Sequence, residues 1–230
     1  MKIAVFSDIH GNKEVLKAIL QDIKENKIDE VYSLGDTIGI GPNSKECLDM
    51  IIDNNIKMVL GNHELYYLYG TDINNVSSGE IKHHLWLKDL LGEKYKKFLS
   101  KCEIKIDTVI NGKTITYEHF LLNNNSKFPF ENIKIVKKDM TGVVLSSDIT
   151  YIGHEHKSFD KYILDKRLID VGSSGCVKND ITFYTMLDTN KMEISKKFIK
   201  FDREAFVNSF KNIEYPEKEE IGKIFFGIGD

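Results

Sequence analysis

The chain has little of what marks secreted, membrane-bound or nucleic-acid-binding proteins. Its 3 cysteines in 230 residues, Cys47, Cys102 and Cys176, are scattered and in no CxxC spacing. A disulfide framework is therefore not expected, and the thiols read as reduced core groups of a cytoplasmic protein. Proline occurs only 3 times, and there is no Pro/Ser-rich linker, internal repeat or low-complexity segment. The N-terminal "MKIAVFSDIHGN" has one lysine and an apolar run too short for a signal peptide or a membrane span. Charge of one sign is lacking too: 32 Lys+Arg against 35 Asp+Glu leave a net −3. That balance excludes a strong nucleic-acid or membrane footprint, so a phosphate-bearing ligand must be held by local chemistry. At 41% hydrophobic and 29% charged residues the composition is that of a globular protein, and the length permits a sizeable core. One domain over residues 1–230 is expected, with no membrane contact; composition says nothing of the oligomeric state.

Hydrophobic patterning divides the chain into an α/β beginning and a β-rich end. "KIAVF" (2–6) reads as a buried strand, and "NKEVLKAILQDIKENK" (12–27) places Val15, Leu16, Ile19, Leu20 and Ile23 on one helical face. "VYSL" (31–34), a helix over 43–55 and "KMVL" (57–60) continue a β-α-β-α-β run, which implies a parallel sheet with right-handed crossovers. A helical segment follows over about 65–103, its apolar positions at Trp86, Leu87, Leu90 and Leu91. His83 and His84 lie in it without evident partners and read as structural or solvent-exposed. Asn111-Gly112 joins two β-rich runs in a hairpin. Further hairpins are expected over 159–172 and 182–201, and a helix over 203–212. The later part is thus expected to be mainly antiparallel, giving two sheets packed together.

The chemistry collects at strand ends. Each of the first three strands runs into a polar cluster: Asp8-Ile9-His10, Gly35-Asp36 and Gly61-Asn62-His63-Glu64. Ligands of open parallel sheets bind beyond the strands' carboxyl ends. His119 closes a hairpin strand, and "TYIGHEHKSF" places His154 and His156 two apart as the chain leaves another. In extended backbone, residues i and i+2 point the same way, whereas the helical zinc-protease pattern needs its histidines one turn apart. Two aspartates, one asparagine and four histidines are too many for one tetrahedral zinc and suit two ions of higher coordination. Taken singly, each cluster has an ordinary explanation: a helix cap for Asp8, a turn for Gly35-Asp36, a strand histidine for His119. Their coincidence at strand ends favours a metal site. The lysine-rich "KKFIKFDR" reads as a solvated strand face.

"SDIHGN", "GDTIGIGP", "GNHE" and "GHEH", in that order and spacing, resemble the calcineurin-like metallophosphoesterase superfamily from Met1 to roughly Gly175. The resemblance implies a four-layer α/β/β/α sandwich, two mixed sheets flanked by helices, with two divalent ions per chain at the strand ends. Asp8, His10 and His156 would bind one ion, Asn62, His119 and His154 the other, and Asp36 would bridge them while Glu155 points away. A bridging carboxylate can hold two cations about 3.5–4 Å apart, where a shared hydroxide attacks phosphorus. His63 would protonate the leaving alkoxide as general acid. Oxygen and imidazole ligation suits Mn²⁺ or Fe²⁺, with Zn²⁺, Co²⁺ and Ni²⁺ as other occupants.

Departures from the family narrow the substrate. Phe120 follows His119 where glycine is usual and is expected to narrow the pocket. Gly39, Ile40 and Leu60 stand where Ser/Thr protein phosphatases carry an aspartate and two arginines, so no arginine clamps a phosphomonoester. "DVGSSG" (170–175) resembles the family's glycine-serine loop without its usual proline. The expected activity is hydrolysis of phosphodiesters of nucleotides or similar small molecules. Hydrolysis of dinucleoside polyphosphates of the Ap4A type is the alternative within the enzyme class. A non-catalytic metal-binding interaction scaffold is the alternative of a different class.

Overall fold

β1 (Lys2–Phe6) is buried on both faces from Ile3 onward, as a strand must be when helices cover one side and another sheet the other. The computed structural model describes residues 1–70, 77–121 and 143–229. α1 (Lys13–Glu25) starts where the Asn12 side chain accepts the N–H of Val15, and it buries Val15, Leu16, Ile19 and Ile23. β2 (Glu30–Ser33) and α2 (Ser44–Asp53) follow as the pattern predicts. β3 covers only Lys57–Met58, shorter than expected, because Val59 bridges to Glu103 and the Leu60 N–H donates to the Glu103 carbonyl.

The expected helical segment is two helices: α3 (Asn62–Tyr69) and α4 (Ser78–Leu99). Residues 71–76 between them lie outside the described part. A capping box of Ser77 and Glu80 starts α4, and Gly92, at φ +63°, divides it.

β4 (Lys105–Ile110) and β5 (Lys113–Glu118) form the Asn111-Gly112 hairpin, both turn residues having positive φ (50° and 76°), as a type I′ turn requires. Then come β6 (Ile149–Ile152), β7 (Phe159–Ile163), β8 (Lys166–Asp170), β9 (Ile181–Asp188) and β10 (Glu193–Lys200). α5 (Arg203–Lys211) and the short α6 (Lys218–Ile221), continued by a π-helical turn over Gly222–Phe226, end the described chain.

Two five-stranded sheets result, in orders β10-β9-β1-β2-β3 and β4-β5-β6-β8-β7. Both are mixed. The later strands are mainly antiparallel, as expected, in the pairs β4–β5, β7–β8 and β9–β10, while β5, β6 and β8 run parallel in the middle of the second sheet. Hairpin signals report only pairings between neighbours in sequence, so β6, set between β5 and β8, was invisible to them. The sheets meet across Ile3, Val5, Tyr32, Leu34, Ile115, Tyr117, Tyr151 and Ile169. The Tyr32 ring stacks on Tyr117 at 3.8 Å and Tyr117 on Tyr151 at 5.5 Å. A larger cluster joins the first sheet to its helices, so the chain is two mixed sheets flanked by helices. Among the described residues no helix is long and apolar enough to cross a membrane.

Candidate metal centre

The parallel pairing brings the carboxyl ends of β1, β2, β5 and β6 to one rim, and hydrogen bonds lock the following loops together. Asp8 N–H donates to Gly35 O (3.1 Å), His10 N–H to Asp36 O (2.9 Å) and Gly11 N–H to Thr37 O (2.9 Å). Asp8, His10, Asp36, His154 and His156 all have positive φ, between 47° and 74°. Non-glycine residues persist there only where their surroundings over-determine the backbone, which is common at functional sites. The hydrogen-bonded loops supply that constraint.

All seven predicted ligands converge. One group joins His10 Nε2 to His156 Nε2 (3.0 Å) and to Asp8 Oδ1 (3.6 Å), with His156 Nε2 3.3 Å from the same oxygen. The second joins Asn62 Oδ1 to His119 Nε2 (3.1 Å) and His154 Nδ1 (2.9 Å). Asp36 Oδ2 touches both, 3.7 Å from His10 Nε2 and 3.3 Å from His119 Nε2. His10 Nδ1–H donates to the Ile38 carbonyl (3.3 Å) and His119 Nδ1–H to the Leu34 carbonyl (2.8 Å). Each bond fixes the ring so that Nε2 faces the centre. Glu155 belongs to neither group.

The electrostatics call for cations. Asp8 and Asp36 are fully buried. Burial works to raise both carboxyls. For Asp8, the adjacent imidazoles of His10 and His156 outweigh burial and hold it well below the usual range. For Asp36, the charges of His119 and His63 do the same. Burial opposes charge on His156 and His119 as well, yet Asp8 pushes His156 up to about 11 and Asp36 pushes His119 up to about 9. Burial leaves His154 at about 4. No lysine or arginine is among these groups, so protons on imidazole stand where positive charge is needed. Asp8 Oδ1, buried, has no hydrogen-bond partner. Carboxylate oxygens, an amide oxygen and imidazole nitrogens make a donor set for divalent ions of borderline hardness.

The family model described as calcineurin-like phosphoesterase matches residues 1–158. The chain belongs to that family. It is 31% identical over 229 residues to an uncharacterised protein of Methanocaldococcus jannaschii, covering 91% of this chain and 92% of that one. A 71-residue stretch, 30% of this chain, is 38% identical to 26% of a symmetrical bis(5′-nucleosyl)-tetraphosphatase of Actinobacillus pleuropneumoniae. Among solved structures, a hypothetical protein from Pyrococcus horikoshii aligns with TM-score 0.76 over 98% of this chain and 97% of its own, at 18% identity. The protein is thus a metallophosphoesterase, a hydrolase of phosphate esters, and its His/Asp groups are candidate metal ligands.

Glu64, which sequence reasoning left without a role, sits beneath the metallophosphoesterase site. Its buried carboxylate accepts the backbone N–H groups of Asp36, Thr37, Ile38 and Gly61 at 2.8–3.1 Å. Burial and the Asp36 charge push its carboxyl up to about 7, against the pull of those N–H groups. It ties the β2 loop to the start of α3, and so fixes Asp36 relative to Asn62. The His63 N–H donates to Asp36 Oδ1 (2.9 Å), and the His63 ring lies 5.0 Å from that of His10.

His83 and His84 are buried, at 4% and 7% exposure, which rules out the solvent-exposed reading. His83 Nε2 accepts the Ile40 N–H (2.9 Å), while the Tyr215 hydroxyl donates to the Ile40 carbonyl (2.9 Å). This clamp holds Ile40 at φ +61°. The His84 ring lies 5.1 Å from His63. Both line a cavity of about 510 Å³ with Ile40, His63, Glu80, Glu217, Glu220 and Phe225. The available signal was spacing: His83 and His84 stand four and three residues before Leu87, on its buried face. Phe120 packs its ring on His119 and His154 inside the core and is not among the residues lining the cavity beside His63. Leu60 is core as well.

Proposed function

We propose that this metallophosphoesterase hydrolyses phosphodiesters of small molecules, nucleotides among them. Asp8, His10 and His156 would hold one divalent ion, Asn62, His119 and His154 a second, and Asp36 would bridge the two. The observation that carries the reading is the Asp36 Oδ2 atom, within 3.7 Å of His10 Nε2 and 3.3 Å of His119 Nε2, so that one oxygen serves both groups. When bound, the two ions would supply Lewis-acid charge for the phosphoryl oxygens and lower the pKa of a water nucleophile.

The chain's own residues do the rest. Glu64 keeps Asp36 and Asn62 in register, and the ring bonds of His10 and His119 hold their Nε2 atoms inward. His63 is the general acid. Burial keeps its pKa well below the ordinary value, while the Asp36 charge pulls the other way. An anionic phosphate arriving beside it favours the imidazolium, so His63 takes up its proton on binding and delivers it to the leaving oxygen. That oxygen's substituent would lie in the cavity shared by His63 and His84, whose lining carries three carboxylates, Glu80, Glu217 and Glu220, and apolar Ile40, Ile221, Ile224 and Phe225. No lysine or arginine is among the described lining residues. Such a wall suits an uncharged or cationic alcohol. We take residues 1–230 as one domain, which is supported by Phe225 lying 6.0 Å from the His156 ring.

The 71-residue likeness to a tetraphosphatase supports the second reading, hydrolysis of dinucleoside polyphosphates. The acidic cavity speaks against it, because a polyphosphate would leave charged phosphates there. The complete ligand set speaks against a non-catalytic scaffold. Metal analysis of the purified protein, reconstituted with Mn²⁺ or Fe²⁺, should give two ions per chain, with both sites weakened by Asp36→Asn. A hydrolysis panel should rank diesters above dinucleoside polyphosphates and phosphoserine peptides. One tight ion unaffected by Asp36→Asn would end the dinuclear reading, and better turnover of phosphopeptides would end the diester reading.

A further inference from the structure

The loop that follows β8 reaches the metal centre with one side chain not counted among its ligands. Gly172–Gly175 dock on the loop that bears Asp8 and His10. Ser174 N–H donates to Ser7 O (3.0 Å) and Gly175 N–H to Asp8 O (3.0 Å). The Ser173 hydroxyl donates to Asp8 O (2.8 Å) and Asn12 Nδ2 to Gly175 O (2.9 Å). At Gly175 a β-carbon would overlap the Ile9 carbonyl, so the two loops approach as closely as backbones can. Cys176 comes next, its N–H donating to the Ser173 hydroxyl (2.9 Å). Cys176 Sγ and the ring nitrogens of His10 and His156 lie within 4.8 Å of one another.

Two further facts set this thiol apart. Asp8 Oδ1 has no exposed surface and no hydrogen-bond partner, and it faces the same point, 3.3 Å from His156 Nε2 and 3.6 Å from His10 Nε2. The other cysteines have ordinary surroundings. Cys47 is fully buried on α2, and Cys102 donates to the Phe98 carbonyl (3.7 Å). Neither belongs to a ligand group among the described residues.

We propose that Cys176 is a ligand of the ion held by Asp8, His10 and His156. The site is then not the all oxygen-and-imidazole set implied by the family motifs. A sulfur donor favours thiophilic ions such as Zn²⁺, Co²⁺ or Cd²⁺ over Mn²⁺ at this one position, leaving the Asn62–His119–His154 position without a sulfur donor. On binding, the thiol releases its proton to solvent and the sulfur forms the bond to the ion, with no change of oxidation state. This rests on the metal-centre reading above and refines it.

The test uses the metal-free protein and Co²⁺ alone. Two equivalents should produce a near-ultraviolet thiolate-to-Co²⁺ charge-transfer band that Cys176→Ser abolishes and Cys102→Ser retains. By competition against a chelating dye, Cys176→Ser should weaken Zn²⁺ binding at least about tenfold and Mn²⁺ binding by much less. If Cys176→Ser fails to fold by circular dichroism, alkylation of the wild type decides: Zn²⁺ should protect Cys176 from iodoacetamide relative to Cys102. Two bound Co²⁺ ions without a sulfur band, a band that survives Cys176→Ser, or equal alkylation with and without Zn²⁺ would overturn the proposal while leaving the dinuclear centre standing. A protein that binds no ion would overturn both.

Discussion

Gly39 backs directly onto His63: a β-carbon built on Gly39 would overlap His63 Nδ1. Protein phosphatases of the family place at this position the aspartate that partners their catalytic histidine. Here the histidine itself occupies the space a side chain would need. Its nearest rings are instead those of His10, His84 and Tyr66.

Gly39→Ala should therefore displace His63 without touching a metal ligand. At φ +81° the substitution also strains the backbone. Metal content should stay at the wild-type level, while kcat falls roughly 10²-fold or more for diesters with poor leaving groups, the range of a lost general acid. Nitrophenyl esters, which need little protonation, should lose less. Equal losses across leaving groups, measured by steady-state kinetics on both, would show that His63 does not donate the proton.

The convergence of the candidate ligands was legible because the chemistry of a metal site constrains residue type and strand-end placement together, and both leave traces in sequence. Asp8, His10, Asp36, Asn62, His119, His154 and His156 meet as the motifs imply. What stayed hidden depends on contacts between distant segments. His84 meets His63 only because α4 packs against α3. Phe225 approaches His156 from a C-terminal turn that carries no motif. β6 slots between β5 and β8 through a parallel pairing that hairpin signals cannot report. Cys176 looked like a core thiol because its neighbours come from loops 20 and 166 residues away. Glu64 was visible in "GNHE", and so was its local cap on the Gly61 N–H, but its three other N–H partners, Asp36, Thr37 and Ile38, arise only once the β2 loop folds over α3.

Glu64→Gln tests that hidden support. One of its oxygens would become an amide NH₂ facing backbone N–H donors, leaving at least one buried donor unpaired. The expected cost is about 2–4 kcal/mol of stability, read from urea denaturation of the metal-free protein. Because Asp36 loses its anchor, metal affinity should fall about 10–100-fold, the usual effect of removing a supporting hydrogen bond behind a ligand. Unchanged stability and affinity would show that the carboxylate is dispensable.

Asp170, not itself a candidate ligand, gives a pH prediction for the metal-free protein. It is buried in β8, with one oxygen accepting the Gly172 N–H (2.8 Å) and the other unpartnered. Burial pushes its carboxyl up to about 8, above the value near 3.9 of an unfolded chain. The folded state thus binds the proton more tightly than the unfolded one. Its contribution is full below about pH 4 and is lost as pH rises through about 8. Asp170→Asn keeps an acceptor for Gly172 and cannot ionise. Thermal melts of the two proteins should diverge from pH 5 to pH 9, the variant gaining relative stability on the order of a few kcal/mol at the alkaline end. Parallel curves would mean that Asp170 is ionised throughout.

The acidic cavity makes the last prediction, on substrate choice. Glu220 lines it from α6, as His63 and His84 do from α3 and α4, and reversing its charge changes the wall without entering the ligand set. Glu80 is a poorer target because its carboxylate caps α4 by accepting the Ser77 N–H (2.8 Å). If the leaving group sits in this cavity, Glu220→Lys should raise kcat/KM for dinucleoside polyphosphates relative to a diester with a neutral alcohol. It should lower kcat/KM for a diester whose alcohol carries an amine. A solvent-accessible charge acts through high dielectric, so each change should be about 2- to 10-fold, shrinking as salt is added. Substrates with nitrophenolate leaving groups, uncharged while bonded, set the baseline. If all three classes shift together, the cavity does not receive the leaving group, and the diester preference must come from the metal rim itself.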